Sequence, residues 1–207
     1  TSGDSYDLLV THAGLQGLPC DVAHLHGLYW TADYDAPAWE CATNANIVKA
    51  LRTARRVSVP SAWVAQTLQR DMHLSPAIIP HGIDWQAWQT DTIFSNTPYV
   101  LYNKNRRGDV CDSTPLEYLA DRRPDLQFVS TFASHPRPNL LITGVLPHER
   151  MKSLVQGAAV YLATTKETFG IGILEAMASG VPVLGYAHGG VCDLVQHGIN
   201  GYLAQPG

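Results

Sequence analysis

The sequence is poor in charge, in paired cysteines and in long apolar runs. Only 15% of its 207 residues are charged, against roughly 25% in an average soluble protein, while 45% are apolar; this composition argues against disorder. Fourteen basic residues face 18 acidic ones, a net charge of -4. There is thus no basic excess of the kind a dedicated nucleic-acid binder carries, and no nucleic-acid partner is expected. No apolar stretch reaches the ~20 residues that span a bilayer, because Glu175 interrupts the most apolar third of the chain. The opening TSGDSYDLLV has neither the basic start nor the apolar run of a secretion signal. Cys20, Cys41, Cys111 and Cys192 form no CxxC pair, which predicts neither a zinc site nor a disulfide framework. They read as thiols of a reducing compartment, so the expected location is cytoplasmic. No G-x-G-x-x-G follows a strand, which disfavours a dehydrogenase. Internal repeats are absent too.

What the chain does have is alternation. Short β-branched or apolar runs follow helical patterns almost throughout, the mark of an α/β protein with parallel sheets. Strands are predicted over 7–11, 21–26, 56–59 and 77–79, with helices over 46–54 and 61–70, the second N-capped by Ser61. The Asn-, Asp-, Thr- and Gly-rich stretch 81–98 breaks the periodicity and reads as a connector with room for one helical turn. Beyond it, strands fit at 99–102, 127–131, 140–143, 160–163 and 181–184, and helices at 115–120, 147–156, 170–179 and 190–196. This predicts a first domain over 1–85, a linker over 86–98 and a second domain over 99–207. Two complete doubly wound domains need on the order of 300 residues, so both domains are expected to be incomplete.

The stretch 164–190, TTKETFGIGILEAMASGVPVLGYAHGG, carries the chemistry. Glu167 precedes a Phe-Gly pair and a helix expected to begin near Gly170. Glycines at 170 and 172 would leave the first turn open to close approach, where free N–H groups and the positive dipole end suit a phosphate. Glu175 follows eight positions after Glu167 on an otherwise apolar helix. If buried, it needs hydrogen-bond donors, and the two hydroxyls of a ribose would serve; if exposed, it is merely solvated.

ETFGIGILEAMASGVPV resembles the E-x-F-G-x-x-x-x-E-A-x-A-x-G-x-P-V signature of retaining glycosyltransferases of family 4, and Gly189-Gly190 and Asn200-Gly201 follow as that resemblance expects. It implies the GT-B fold, two Rossmann-like domains with parallel sheets. By the match, Glu167 contacts the donor sugar, Glu175 binds the ribose, and the backbone of Phe169, Gly170 and Ile171 holds sugar and phosphate. Thr164 stands where the family usually has Ser, and Ala163 replaces a common Pro. DVAHLHG (21–27) resembles the family's D-V-V-H-x-H strand end, which makes His26 the sugar contact. His24, on the same face of a regular strand, is the alternative. IIPHGID (78–84) resembles the I-P-N-G-I-D junction between the domains, with His81 in place of Asn. The phosphate clamp matches least well: Lys104 falls where an Arg is expected and Arg107-Gly108 stands for Lys-Gly, with Arg106 an equal candidate.

These matches imply transfer of a sugar from a nucleotide-sugar donor to an acceptor hydroxyl with retention of configuration. Lys104 with Arg106 or Arg107 would stabilise the departing diphosphate, and Glu167 and His26 would position the sugar. Neither a metal nor a cofactor is then expected, and the Asp33-Tyr34-Asp35 triplet reads as a solvated loop. The acceptor is not specified, and the resemblance leaves room for peripheral membrane contact through a missing amino-terminal part. Two rivals stay open: an epimerase or phosphorylase of the same fold, and a non-catalytic nucleotide-binding relative.

Overall fold

The computed structural model describes residues 6–13, 19–26, 38–90, 97–104 and 111–206. The chain divides into two units, Thr1–His81 and Gly82–Gly207.

The first unit is a four-stranded parallel sheet in the order β1 (Val10–His12), β2 (Val22–His24), β3 (Arg56–Val59), β4 (Ala77–Ile78). Asp21 sets the entry to β2, since its carboxylate accepts the Leu9 N–H at 3.0 Å while its own N–H donates to the Leu9 carbonyl at 2.9 Å. Helix α1 (Ala38–Thr53) begins eight residues before the expected 46. Its first half hides the helical period because Trp39 and Cys41 lie exposed, although Glu40 beside them is buried. Helix α2 (Ala62–Met72) starts where Ser61 accepts the Val64 N–H at 3.2 Å, as its position before an apolar run predicts. It ends at His73 in the left-handed conformation, φ 55°. Leu25, Ile47, Val59, Val64 and Leu68 close the core between sheet and helices, each worth roughly 1.5–3 kcal/mol when fully buried.

The second unit opens with one helical turn, α3 (Trp85–Trp88), capped by Asp84, whose carboxylate accepts the Ala87 N–H at 3.1 Å. Trp88 is buried in this unit's core, and its carbonyl accepts from Ser179 Oγ and Gln156 Nε2. Six parallel strands follow: β5 (Tyr99–Tyr102), β6 (Gln127–Ser130), β7 (Leu140–Ile142), β8 (Val160–Ala163), β9 (Val183–Tyr186) and β10 (Gly201–Ala204). Their spatial order is β10-β9-β8-β5-β6-β7. The chain steps one way from β5 to β7, returns to the other side of β5, and steps outward again, which is the Rossmann order with its reversal between β5 and β8.

Reversal of direction with right-handed crossovers sends the helices to opposite faces, and the core shows it. Helix α4 (Thr114–Arg122) packs Leu116 and Ala120 against Tyr102, Phe128 and Leu162. Helices α5 (His148–Gln156), α6 (Ile171–Ala178) and α7 (Val191–Leu194) pack Val155, Ile173, Ala176 and Val191 against the alternate strand residues Leu101, Val129, Tyr161 and Val183. Strand β9 starts two residues later than the pattern 181–184 suggested. Gly180, at φ 74°, and Val181 still cap α6 through N–H bonds to the Met177 and Ala176 carbonyls. Among the described residues no helix is long and apolar enough to cross a membrane.

Candidate functional site

In an open parallel sheet the crevice for a ligand lies past the carboxyl ends of the strands where the order reverses. Here that place is between β5 and β8. Lys104 follows β5 by two residues and Glu167 follows β8 by four. The Lys104 Nζ donates to Glu167 Oε1 at 2.6 Å and to Thr165 Oγ1 at 2.6 Å, and Thr165 Oγ1 in turn donates to Glu167 Oε1 at 3.0 Å. The lysine side chain is 6% exposed and the glutamate 33%, so the cation is anchored inside while the carboxylate reaches the surface. A second pair of bonds fixes the lysine backbone: its N–H donates to Thr131 Oγ1 at 2.7 Å, and that hydroxyl donates to its carbonyl at 2.5 Å.

Beside this triad begins α6. Gly170, the residue before its first turn, sits at φ 108°, a conformation that disfavours a side chain. The Ile173 and Leu174 N–H groups both donate to the Gly170 carbonyl, so helix geometry leaves the Ile171 and Gly172 N–H groups without an intrahelical acceptor. Ile171 is exposed and Phe169 is buried. The expected openness at Gly172 is corrected by the structure: a Cβ there would run into the Tyr161 hydroxyl, and one at Gly170 would lie 2.8 Å from Ile173 Cδ1. Those glycines make room for the protein's own side chains. The Tyr161 hydroxyl also donates to the Asn103 carbonyl at 3.4 Å, and burial drives its pKa well above the ordinary range.

Glu175 lies on the same helix, half-buried. Burial raises its pKa, only partly opposed by the nearby His148. It is therefore neither solvated on an outer stripe nor sealed in the core. Gly190, whose N–H donates to the Glu167 carbonyl at 2.7 Å, pins the loop that carries Glu167. A cavity of about 410 Å³ lies elsewhere in the unit, lined by Pro115, Tyr118, Leu119, Thr164, Leu184 and Tyr186 among others; among the described residues the buried Thr164 Oγ1 has no hydrogen-bond partner. Arg106 and Arg107, like Asp33-Tyr34-Asp35, lie outside the described residues.

The first unit gathers histidines. His12 ends β1, His24 ends β2, His26 lies two residues on, and His81 follows β4 by three. Ring centroids are 5.1 Å apart for His24 and His26, 5.3 Å for His24 and His81, and 5.1 Å for His26 and His81. His24 and His26 do share a face, yet they differ. His24 is buried with its Nδ1 2.8 Å from Ser58 Oγ, whereas His26 is exposed with its Nε2 3.0 Å from His12 Nδ1. Burial, then repulsion from His26, His81 and His12, lowers the His24 pKa to about 4. The same effects, burial first, lower those of His26 and His81.

The sequence motif singled out Lys104 and Glu167 separately and missed both Thr165, which joins them, and the gathering of His12 and His81 with the other two. A signal for the second was present: strands β1, β2 and β4 each end in, or within three residues of, a histidine.

Two parallel sheets, one with the Rossmann order and a charged triad at its reversal point, define a GT-B-type α/β protein. Residues 133–207 match the family model of the glycosyl transferases group 1. The chain is 44% identical over 54 residues to N-acetyl-alpha-D-glucosaminyl L-malate synthase of Bacillus anthracis, an overlap of 26% of this chain and 14% of that protein. The sucrose-phosphate synthase structure from Thermosynechococcus elongatus superposes with a TM-score of 0.73 at 20% identity, over 97% of this chain and 61% of that one. The Anabaena HepE structure, in complex with UDP-glucose, gives a TM-score of 0.69 at 20% identity, over 90% of this chain and 58% of that one. The chain thus spans less than two thirds of the length of each of these proteins.

Proposed function

We propose that the chain is part of a retaining glycosyltransferase and that its second unit holds the nucleotide-sugar donor. The observation that carries this reading is the Lys104–Thr165–Glu167 triad at the β5/β8 reversal, next to the first turn of α6. A sugar leaving a nucleoside diphosphate creates negative charge on phosphate and positive charge on the ring. The triad offers one group for each. Lys104 is paired inside the protein with Glu167, as a buried cation must be, and two of its three N–H donors are engaged within the triad. The third would go to a diphosphate oxygen, joined by the N–H groups of Ile171 and Gly172. Glu167, reaching the surface, would accept from sugar hydroxyls and sit near the developing ring charge.

Glu175 takes the ribose hydroxyls in this reading, its second role as a solvated side chain being disfavoured by its half-buried setting. The phosphate itself would accept the acceptor's proton as the bond to the departing group breaks on the same face. Cations of the chain supply the electrostatic work, so the reading calls on no cofactor. The relatives point to hexosyl donors: the B. anthracis protein is named for a glucosaminyl group and HepE holds UDP-glucose. The four free thiols accord with a cytosolic setting.

Titration with UDP, GDP and ADP, followed by incubation with the matching nucleotide sugars, tests the reading. One nucleoside diphosphate should bind, and Glu175→Ala should weaken it about tenfold, the loss of one hydrogen bond to a charged group. Affinity that does not change on this substitution removes the ribose role. Binding without sugar release from any donor leaves a nucleotide-binding relative instead of a transferase.

A further inference from the structure

We propose that His24, His26 and His81 form a binding site for a transition-metal ion of the Zn²⁺ class. Each of the three offers a ring nitrogen, and these nitrogens all lie within 4.8 Å of one another. Tetrahedral coordination with Zn–N bonds of about 2.0–2.1 Å sets neighbouring ligand atoms about 3.3 Å apart, so each ring needs to close in by less than about 1 Å. His26 is exposed and His81 half-buried, which leaves both rings room to make that adjustment.

His24 is already oriented. Its Nδ1 bonds the buried Ser58 Oγ at 2.8 Å, which leaves Nε2 as the ligand atom. A hydrogen bond at the far nitrogen, fixing tautomer and ring direction, is how proteins hold metal-ligating histidines. The chemistry of the group agrees: imidazole nitrogen is a favoured ligand of Zn²⁺, and three histidines are an established donor set for that ion. Three imidazole ligands leave a fourth position for water or for His12, whose Nδ1 already touches His26 Nε2 at 3.0 Å.

The groups of the donor-binding reading proposed above lie in the second unit; His26 alone is also the residue that the family resemblance expects to contact the sugar. The metal site also departs from the expectation that the chain holds no metal. The fold brings together residues spread over 58 positions of sequence, from His24 at the end of β2 to the loop after β4, which no CxxC-type spacing reveals.

Isothermal titration of the metal-free protein with Zn²⁺, with Co²⁺ as a visible-absorption probe of tetrahedral geometry, decides the matter. The expected result is one bound ion with an intense Co²⁺ ligand-field band. His26→Ala and His81→Ala, both away from the core and checked for native circular dichroism, should each weaken binding at least about tenfold. Ser58→Ala should weaken it about 10–100-fold, as loss of an orienting partner does. His135→Ala, at an exposed position of the second unit, should change nothing. No binding, or binding that survives His26→Ala and His81→Ala, overturns the proposal. A shift of donor affinity in Glu175→Ala has no bearing on it, so the two readings fail separately.

Discussion

At the strand ends of the second unit the polar groups are complementary: an inward lysine, a threonine and a carboxylate share three hydrogen bonds. The strand ends of the first unit bring together four imidazoles of one kind. Complementary charge can be carried inside at neutral pH and stand ready for a substrate of mixed charge. Like groups gather most readily while neutral, and a cation between them would give them a common partner. The same parallel-sheet geometry, which points strand ends at one edge, therefore serves opposite electrostatic designs.

The largest effect should come from breaking the complementary pair. Lys104→Ala removes the cation that Glu167 and Thr165 share; turnover in the protein should fall about 10²–10³-fold, the usual cost of losing a transition-state donor. Measured kcat and KM separate the roles. A fall confined to donor affinity would mean that Lys104 holds the ground state and does not stabilise the leaving group.

A smaller effect should follow from overfilling the packing behind the site. Gly172→Ala drives a methyl into the Tyr161 hydroxyl and should cost about 1–3 kcal/mol in denaturant unfolding. Tyr161→Phe in the same chain should recover part of that loss, because the clashing atom is gone. If Gly172→Ala is neutral alone, the close approach is not what requires glycine there.

Acid should separate the two units more gently. His24 titrates near 4 in the fold and 6.5 when free, so the unfolded chain binds more protons between those values. Stability of the first unit should decline as pH drops from about 6.5 toward 4. The second unit contains the reverse case. Burial raises the Glu117 pKa, but the Ser134 N–H at 2.7 Å, the Ser113 hydroxyl at 2.7 Å and Arg137 at 3.0 Å outweigh it and hold it at about 2, below its usual 4.5. That contribution is intact above 4.5 and is lost only as pH falls from there toward 2. Tryptophan fluorescence and hydrogen exchange followed from pH 7.5 downward should show first-unit amides opening first; simultaneous opening would contradict the contrast.

Much of this was legible in the sequence because period and punctuation agree with the fold. Strands β3, β5 and β8 fall where the β-branched and apolar runs put them, and Ser61 caps α2 as its position announces. Legibility failed where local signals do not carry the decisive interaction. The start of α1 is hidden by exposed Trp39 and Cys41, and Gly172 reads as an open backbone until Tyr161 is seen beside it. At the site, the motif supplied Glu167 and Glu175 and the strand end supplied Lys104, but their pairing through Thr165 spans more than 60 residues. No pattern of spacing reports a contact of that range. The imidazole cluster needs three strands in register before its members meet.

The central claim is that nucleotide binding centres on the β5/β8 reversal of the second unit. Backbone amide chemical-shift mapping with the nucleoside diphosphate that binds tests it most directly. The account predicts the largest shifts at 103–104, 165–168 and 170–175, with those around residue 104 altered in Lys104→Ala. Shifts concentrated instead around Tyr118, Leu184 and Tyr186, at the apolar cavity, would contradict it.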